Sequence, residues 1–455
     1  MEPKLTFDLD RLLLNGNQIK KITRNIFKEQ KVKIFYAIKA NSDEPVLSSV
    51  FKQGIGAEVL SLRELELVPN HVEVIVNGHS KGTALIEAAL KRESCTFMVE
   101  SVEELRRIEE YIKLAGISIK PNIGVRVSVS DKARIGLPLT DLHLLDEWIK
   151  PESTLRINTL HLHAGWNVKE DEKVHEMLNR MNIMHEYIQK KGGRITCWNF
   201  GGSFAEASSY PQQLQKRLQL YHRLLPENVS EVYFEPGRYL VGDCGKLEAQ
   251  VIEVRSNQTI INSATYGYML SGATAKLKYV LKGEKNEKSL LLNDAESENQ
   301  TVLSGIWPSE NDCLNVSYSG RSLEIGDTIY FENMGAYLAS SMRSLSDEEL
   351  LTYQYQSKLI NLWQNADDMQ QSLLLRFWCF NIRQFKTLPK KLIELEKILQ
   401  LISLEFQPGT LYTENEVNEV LLQYNLDFCT LRRDLVEQKF LHRQEGAKVV
   451  YERIV

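Results

Sequence analysis

Long apolar runs are missing from this chain. No stretch approaches the roughly 18 to 20 uncharged apolar residues that a membrane span requires. The N-terminus, MEPKLTFDLDRLLLNGNQIKK, meets charges before any continuous apolar core forms, so neither a membrane anchor nor a secretory signal is expected. Closely spaced cysteines are also missing: Cys95, Cys197, Cys244, Cys313, Cys379 and Cys429 form no CxxC pair. That argues against a zinc ribbon, an iron–sulfur site or a disulfide scaffold. No metal is expected, and a reducing cytoplasm is the expected location. A dominant charge sign is absent as well. The 55 basic and 60 acidic residues leave a net charge of -5, which provides no electrostatic reason for nucleic acid to be the main partner. No internal repeat or low-complexity tract stands out.

What is present is ordinary for a soluble globular protein: 43% hydrophobic and 25% charged residues in a chain of 455. At roughly 150 residues per domain that length suggests about three domains. From about 30 to 245, short β-branched or aromatic runs alternate with amphipathic segments. The runs are KIFYAI (33–38), AEVL (57–60), VEVIV (72–76), TFMVE (96–100), NIGVRV (122–127), INTLHLH (157–163), TCWNF (196–200) and EVYFE (231–235). Between them, SVEELRRIEEYIKLA and EKVHEMLNRMNIMHEYIQKK carry apolar positions three and four apart. Eight such runs with helix-sized spacers fit a closed parallel (β/α)8 barrel, because each parallel strand needs a crossover; periodicity also allows an open doubly wound sheet. From about 246 to 345, KLEAQVIEVRS, TIINSA, KSLLLND, LNVSYSG and DTIYFEN read as strands of an antiparallel β domain. The expected organisation is a barrel over 26–245, a β domain from 1–25 and 246–345, a helical linker over 346–380, and a last small domain over 381–455.

Active groups of such barrels gather at the C-terminal ends of the strands. Those positions hold Lys39, Glu58, His163, the Gly201–Gly202 turn, Glu235, and the Gly237–Arg238 pair. The set suits a phosphorylated, aldehyde-bearing cofactor. A lysine amine forms a Schiff base with an aldehyde, and glycine turns let backbone N–H groups approach phosphate, with a guanidinium to pair with its oxygens. A carboxylate against a pyridine nitrogen keeps that nitrogen protonated. A flat imidazole can cover the ring.

FYAIKAN, GAEVLSLRELELV, LHLHAGW, NFGGSF, FEPGRYLVG and FENMGAY occur here in the order seen in pyridoxal-phosphate decarboxylases of the alanine-racemase fold. Over roughly residues 5 to 345 the chain resembles that group, which includes the ornithine, arginine and diaminopimelate decarboxylases. The resemblance implies that Lys39 holds pyridoxal 5'-phosphate as an aldimine, His163 stacks on its ring and Glu235 pairs with the pyridine nitrogen. It also implies that Gly201, Gly202, Gly237 and Arg238 line the phosphate site, Tyr337 reaches the phosphate, and Glu58 stands near the lysine. Arg126, in GVRV, is a weaker match. Alanine racemases of this fold place an arginine opposite the pyridine nitrogen, so Glu235 favours decarboxylation. An amino-acid racemase, or a catalytically silent homologue that binds the cofactor or a partner, stays open as an alternative.

Three positions depart from the family pattern. Trp166 stands where a small hydroxyl residue is usual, and Ser203 replaces the third glycine of the Gly-rich turn. In SGIWPSENDCL, Pro308 takes the place of the cysteine that serves as proton donor across a dimer interface. Cys313, five residues on, could substitute only if the loop is remodelled, and Glu310 and Asp312 could hold a polar or cationic substrate. The expected substrate is an amino acid or a derivative, carrier-tethered or a siderophore precursor as some relatives use. The expected assembly is a homodimer.

Beyond about 375 the resemblance is to a small domain of unknown function appended to some bacterial transcription regulators. It rests on FQPGTLYTENEVNEVL and DFCTLRRDLVEQKFLHR. The pattern reads as helix, turn, helix, helix and a short β wing: a winged helix with Thr413 capping ahead of Glu416 and Val417, Val420 and Leu421 on the buried face. From 381 to 455 the 11 basic side chains equal the 11 acidic ones. A DNA reader normally carries a basic footprint, so protein docking or dimer support is the expected role.

Overall fold

The computed structural model describes every residue except 1, 80, 118–120, 151–152, 154, 166–170, 209–210, 266–276, 293–298, 308, 339–351, 381, 447–448 and 455. Trp166 and Pro308 therefore lie outside the described residues. The chain divides into two compact units, one of residues 1–8 and 15–355 and the other of 9–14 and 356–455.

In the first unit eight parallel strands close into a barrel: β2 (Lys31–Ala37), β3 (Gly56–Val59), β4 (Val74–Val76), β5 (Cys95–Val99), β6 (Asn122–Arg126), β7 (Arg156–His161), β8 (Cys197–Asn199) and β9 (Glu231–Phe234). Closure is made by β2 against β9, with Lys31 opposite Glu231 and Ile34 opposite Phe234. Helices cover the outside and side chains fill the inside, so a strand such as Val74–Ile75–Val76 is buried on both faces and does not alternate. Phe35, Ile75, Met98, Cys197 and Tyr233 form one packed cluster of the barrel interior. The helix Val102–Leu114 shows how a crossover is specified. Ser101 accepts the N–H of Glu104 as an N-cap, and Val102, Leu105, Ile108 and Ile112 make its buried stripe.

The remainder of this unit is a nine-stranded sheet that includes β1 (Lys4–Asp8), β10 (Gly245–Arg255), β11 (Gln258–Ile261), β12 (Leu277–Val280), β13 (Lys288–Leu292), β14 (Asn299–Ser304), β15 (Cys313–Tyr318), β16 (Thr328–Glu332) and β17 (Thr352–Gln356). β10 alternates buried and half-exposed residues through its first seven positions, as a strand with one covered face should. The sheet differs from the sequence expectation in two ways. β11 runs parallel to β14, so the sheet is not purely antiparallel, and β12 and β14 join the expected strands. The stretch over 346–380 is not a plain helical linker either. Thr352–Gln356 adds a strand beside β1 before the helices Lys358–Gln364 and Asp368–Phe377 begin. Its Tyr, Gln and Thr residues are compatible with a sheet edge, but only a neighbouring strand supplies the missing hydrogen bonds.

The second unit has its own core, including Leu13, Trp363, Leu374, Ile402, Phe406, Val417, Leu421, Leu435 and Tyr451. From residue 392 onward its order is helix Leu392–Ser403, strand Leu411–Thr413, helices Glu414–Leu422 and Phe428–Glu437, and a hairpin of Leu441–Gln444 with Val450–Arg453. The first of these strands pairs with the last. Thr413 and Glu416 make a reciprocal capping box; Val417 and Leu421 are fully buried, and Val420 packs against the core edge.

Candidate active site

Apart from Tyr337, which follows β16, the candidate groups stand at or near the ends of barrel strands. Lys39 lies in a single 3-10 turn, Ile38–Ala40, directly after β2. Its Nζ donates to both oxygens of Glu58 of β3, at 3.1 and 2.9 Å. Burial works against the ammonium, but the adjacent Glu58 carboxylate and the charge of Glu235 outweigh it and raise the lysine above its ordinary range. Asn77, the first residue after β4, links the two carboxylates: its Nδ2 donates to Glu58 Oε1 and to Glu235 Oε2, each at 3.0 Å.

Glu235 follows β9 and is buried. The Nδ2 of Asn199, at the end of β8, donates to its Oε1 at 2.6 Å, and Nε2 of His161, at the end of β7, stands 3.5 Å from Oε2. Burial raises the carboxyl, but His161, Asn199 and Lys39 together hold it down at about 2. The carboxylate is thus anionic and aimed. His163, two residues past β7, receives the N–H of Gly165 on Nδ1 at 3.1 Å, which places its own proton on Nε2. Burial first, then the electrostatic influence of Arg126, His161 and Lys39, pushes this ring down to about 3. It is a neutral, flat imidazole.

The glycines are held in place by close contacts. Gly201 has φ +60, and a Cβ there would meet the carbonyl oxygen of Leu162 at 2.7 Å; one on Gly202 would meet that of Glu235 at 2.7 Å. At Gly237 a Cβ would lie 3.0 Å from the Cβ of Ala40. Tyr337 adopts φ +67, uncommon for a bulky residue. Its N–H donates to Ala40 O at 2.6 Å, and its ring lies 5.0 Å from the guanidinium of Arg238. Arg238 also pairs with buried Glu206 at 3.3 Å. Arg126, the last residue of β6, pairs with Glu100 at 2.8 Å, and His79 Nδ1 lies 2.6 Å from the other oxygen of that carboxylate.

Lys39, Glu58, His163, Glu235, Gly201, Gly202, Gly237, Arg238 and Tyr337 therefore gather at one barrel mouth. Three residues expected to act there, Glu310, Asp312 and Cys313, lie in or beside the loop ahead of β15. Asp312 is buried, and its oxygens accept from Thr265 N and Oγ1 at 2.6 and 2.7 Å and from Trp307 N at 2.8 Å. The Asp312 carboxylate thus holds its own loop. Cys313 opens β15, and its thiol donates to Glu310 O at 3.3 Å; Glu310 itself is exposed. Sequence reasoning missed Asn77, Asn199 and His161. Asn199 and His161 sit inside the quoted motifs NFGGSF and LHLHAGW, and Asn77 directly follows VEVIV, so strand-end position was the available signal.

Comparison with known proteins accounts for the assembly. Residues 17–242 match the family described as pyridoxal-dependent decarboxylase, pyridoxal binding domain. This barrel has the fold of the pyridoxal-dependent decarboxylases. Its cofactor is pyridoxal 5'-phosphate, and the mouth fits it: an anionic carboxylate held by three neighbours for the ring nitrogen, a lysine beside a proton acceptor, and turns too tight for any side chain where backbone must approach phosphate. Residues 384–453 match an uncharacterized family conserved in bacteria, DUF2087. The diaminopimelate decarboxylase of Bacteroides thetaiotaomicron is 22% identical over 338 residues, covering 70% of this chain and 86% of the relative. That of Helicobacter pylori is 23% identical over 379 residues, covering 76% and 91%. Among solved structures, the Paramecium bursaria Chlorella virus arginine decarboxylase superposes with a TM-score of 0.61 at 18% identity, covering 78% of this chain and 97% of that one. The Selenomonas ruminantium lysine decarboxylase does so with 0.61 at 20%, covering 78% and 93%. These last two likenesses concern the fold.

Proposed function

We propose that this pyridoxal-binding chain removes the α-carboxylate of an amino acid or an amino-acid derivative, free or carrier-tethered, and works as a homodimer. The observation that carries the reading is Glu235, an acid held at about 2 in a buried position, where its charge is useful only against a cationic partner. Bound pyridoxal phosphate supplies an aldehyde for amines and a ring that draws electrons from the α-carbon. The chain's residues serve that chemistry. Glu58, whose oxygens lie 3.1 and 2.9 Å from Lys39 Nζ, holds the lysine in position at the mouth. Asn199 and Asn77 keep the Glu235 oxygens turned toward the mouth. Neutral His163 offers a flat face that excludes water without adding a competing positive charge. Cys313 is the proposed proton donor, delivered by the second copy.

Release of carbon dioxide from a panel of free and carrier-bound amino acids, by wild type and Cys313→Ala, tests the reading. Rapid α-proton exchange with no carbon dioxide would overturn it in favour of a racemase. Borohydride reduction and peptide mapping should label Lys39; an unlabelled Lys39 would favour a silent homologue. For the C-terminal unit we infer protein docking or dimer support. Arg432, on the helix that would face DNA, is tied to Glu414 at 3.0 Å. Tight, salt-sensitive DNA retardation at low salt would reverse that assignment.

A further inference from the structure

The opposite end of the barrel holds a second cavity, of about 300 Å³, framed by the helix Leu9–Ile26 and the N-terminal starts of β2, β3 and β4. Its floor is apolar, with buried Phe35 and Ile55. Its rim carries Lys20, Arg24, Lys33 and His71, with Glu73 as the acidic member of the lining. That carboxylate is already engaged: Lys33 Nζ lies 2.6 Å from Glu73 and 3.8 Å from Glu231.

Lys20 and Arg24 are different. Lys20 donates to the carbonyl oxygen of Gln53 at 2.6 Å, which satisfies a proton but offers no opposite charge. Among the described residues neither Lys20 nor Arg24 has a carboxylate partner. Burial, then the like charge of Arg24, depress the lysine to about 8. Two cations one helical turn apart repel each other, and no carboxylate among the described residues pairs with them. An anion seated between them would convert that repulsion into charge-assisted hydrogen bonds, while an apolar body on the same molecule covered the floor.

We propose that this cavity is a binding site for a small organic anion, a carboxylate or phosphate carried on a compact apolar body, with Lys20 and Arg24 as its anion clamp and Phe35 and Ile55 as its floor. The site is separate from the cofactor mouth, since its walls come from the strand starts and the reacting groups from the strand ends. It does not depend on which amino acid the enzyme decarboxylates.

Calorimetry on the pyridoxal-phosphate-loaded protein, whose mouth is then occupied, tests the site with phenyl phosphate as probe. Phenyl phosphate is expected to bind at least about tenfold tighter than neutral benzyl alcohol or than inorganic phosphate, because it alone satisfies both rim and floor. Arg24 is exposed, so Arg24→Gln should melt as wild type does while weakening phenyl phosphate at least about tenfold. Val32→Phe, which fills the cavity and touches no charge, should abolish binding and leave the cofactor absorbance unchanged. No binding to the loaded protein, wild-type affinity in Arg24→Gln or Val32→Phe, or benzyl alcohol or inorganic phosphate binding as tightly as phenyl phosphate would each overturn the proposal. None of these outcomes bears on carbon dioxide release, so failure here and failure of the decarboxylase reading are told apart.

Discussion

A buried carboxylate such as Glu235 has to be held by donors, because taking its charge out of water costs several kcal/mol. Asn199 and Asn77 are those donors, and each makes a bond to a charged acceptor of a kind worth about 1.5–3 kcal/mol. Asn199→Ala is therefore expected to cost about 2 kcal/mol of stability in urea titrations and to weaken cofactor binding measured by absorbance. Asn199→Asp should do worse, by placing a second carboxylate against the first. His163 makes the pH-dependent case. The fold holds its imidazole at about 3, whereas an unfolded histidine titrates near 6.5. The native state thus prefers the neutral ring. Its contribution to stability is complete above the unfolded value and drains away as the pH falls from there toward 3. His163→Phe keeps a flat ring that cannot titrate. Cofactor-free protein carrying it should lose less stability than wild type between about pH 7 and about pH 4.5, read as the difference in urea midpoints.

At the scale of elements, the turn after β8 is the most demanding piece of backbone at the mouth. Gly201 and Ser203 both take positive φ, at +60 and +71. Glycine accepts that conformation freely; a serine there costs about 1 kcal/mol. Ser203→Gly should accordingly raise stability by about that amount, seen as a higher melting temperature of the cofactor-free protein. Gly201→Ala should do the reverse, since its Cβ would sit 2.7 Å from Leu162 O, and cofactor affinity should fall with it. The β-domain loop obeys the same logic through a side chain. Asp312 gathers Thr265 and Trp307, and Gly305 leaves it room, because a Cβ there would lie 2.2 Å from the aspartate oxygen.

At the scale of the whole molecule, the second unit is assembled from distant pieces of chain. Asp10 accepts the N–H of Ile360 at 3.0 Å and pairs with Arg383 at 2.7 Å, and Leu13 enters the same core. Asp10 is buried, so removing it takes away the ion-pair partner of Arg383 and the acceptor of the Ile360 N–H. Asp10→Ala is expected to destabilise this unit by about 3 kcal/mol, visible as faster amide exchange across residues 392–437. Among the described residues no helix is long and apolar enough to cross a membrane.

The eight strands of the barrel, the strand-end position of Lys39, Glu58, His163 and Glu235, and the Thr413 cap are legible in the residues alone. Each rests on a local pattern: a run of β-branched residues, a tight glycine turn, a hydroxyl three residues before a glutamate. Long-range packing sets the rest: Asn77 bridges the carboxylates of Glu58 and Glu235, Asp312 serves its own loop, Thr352–Gln356 is a strand, and residues 9–14 pack with the C-terminal unit. Those facts depend on partners tens to hundreds of residues away. An asparagine or an aspartate carries no sign in its own neighbourhood of which distant donor or acceptor it will meet.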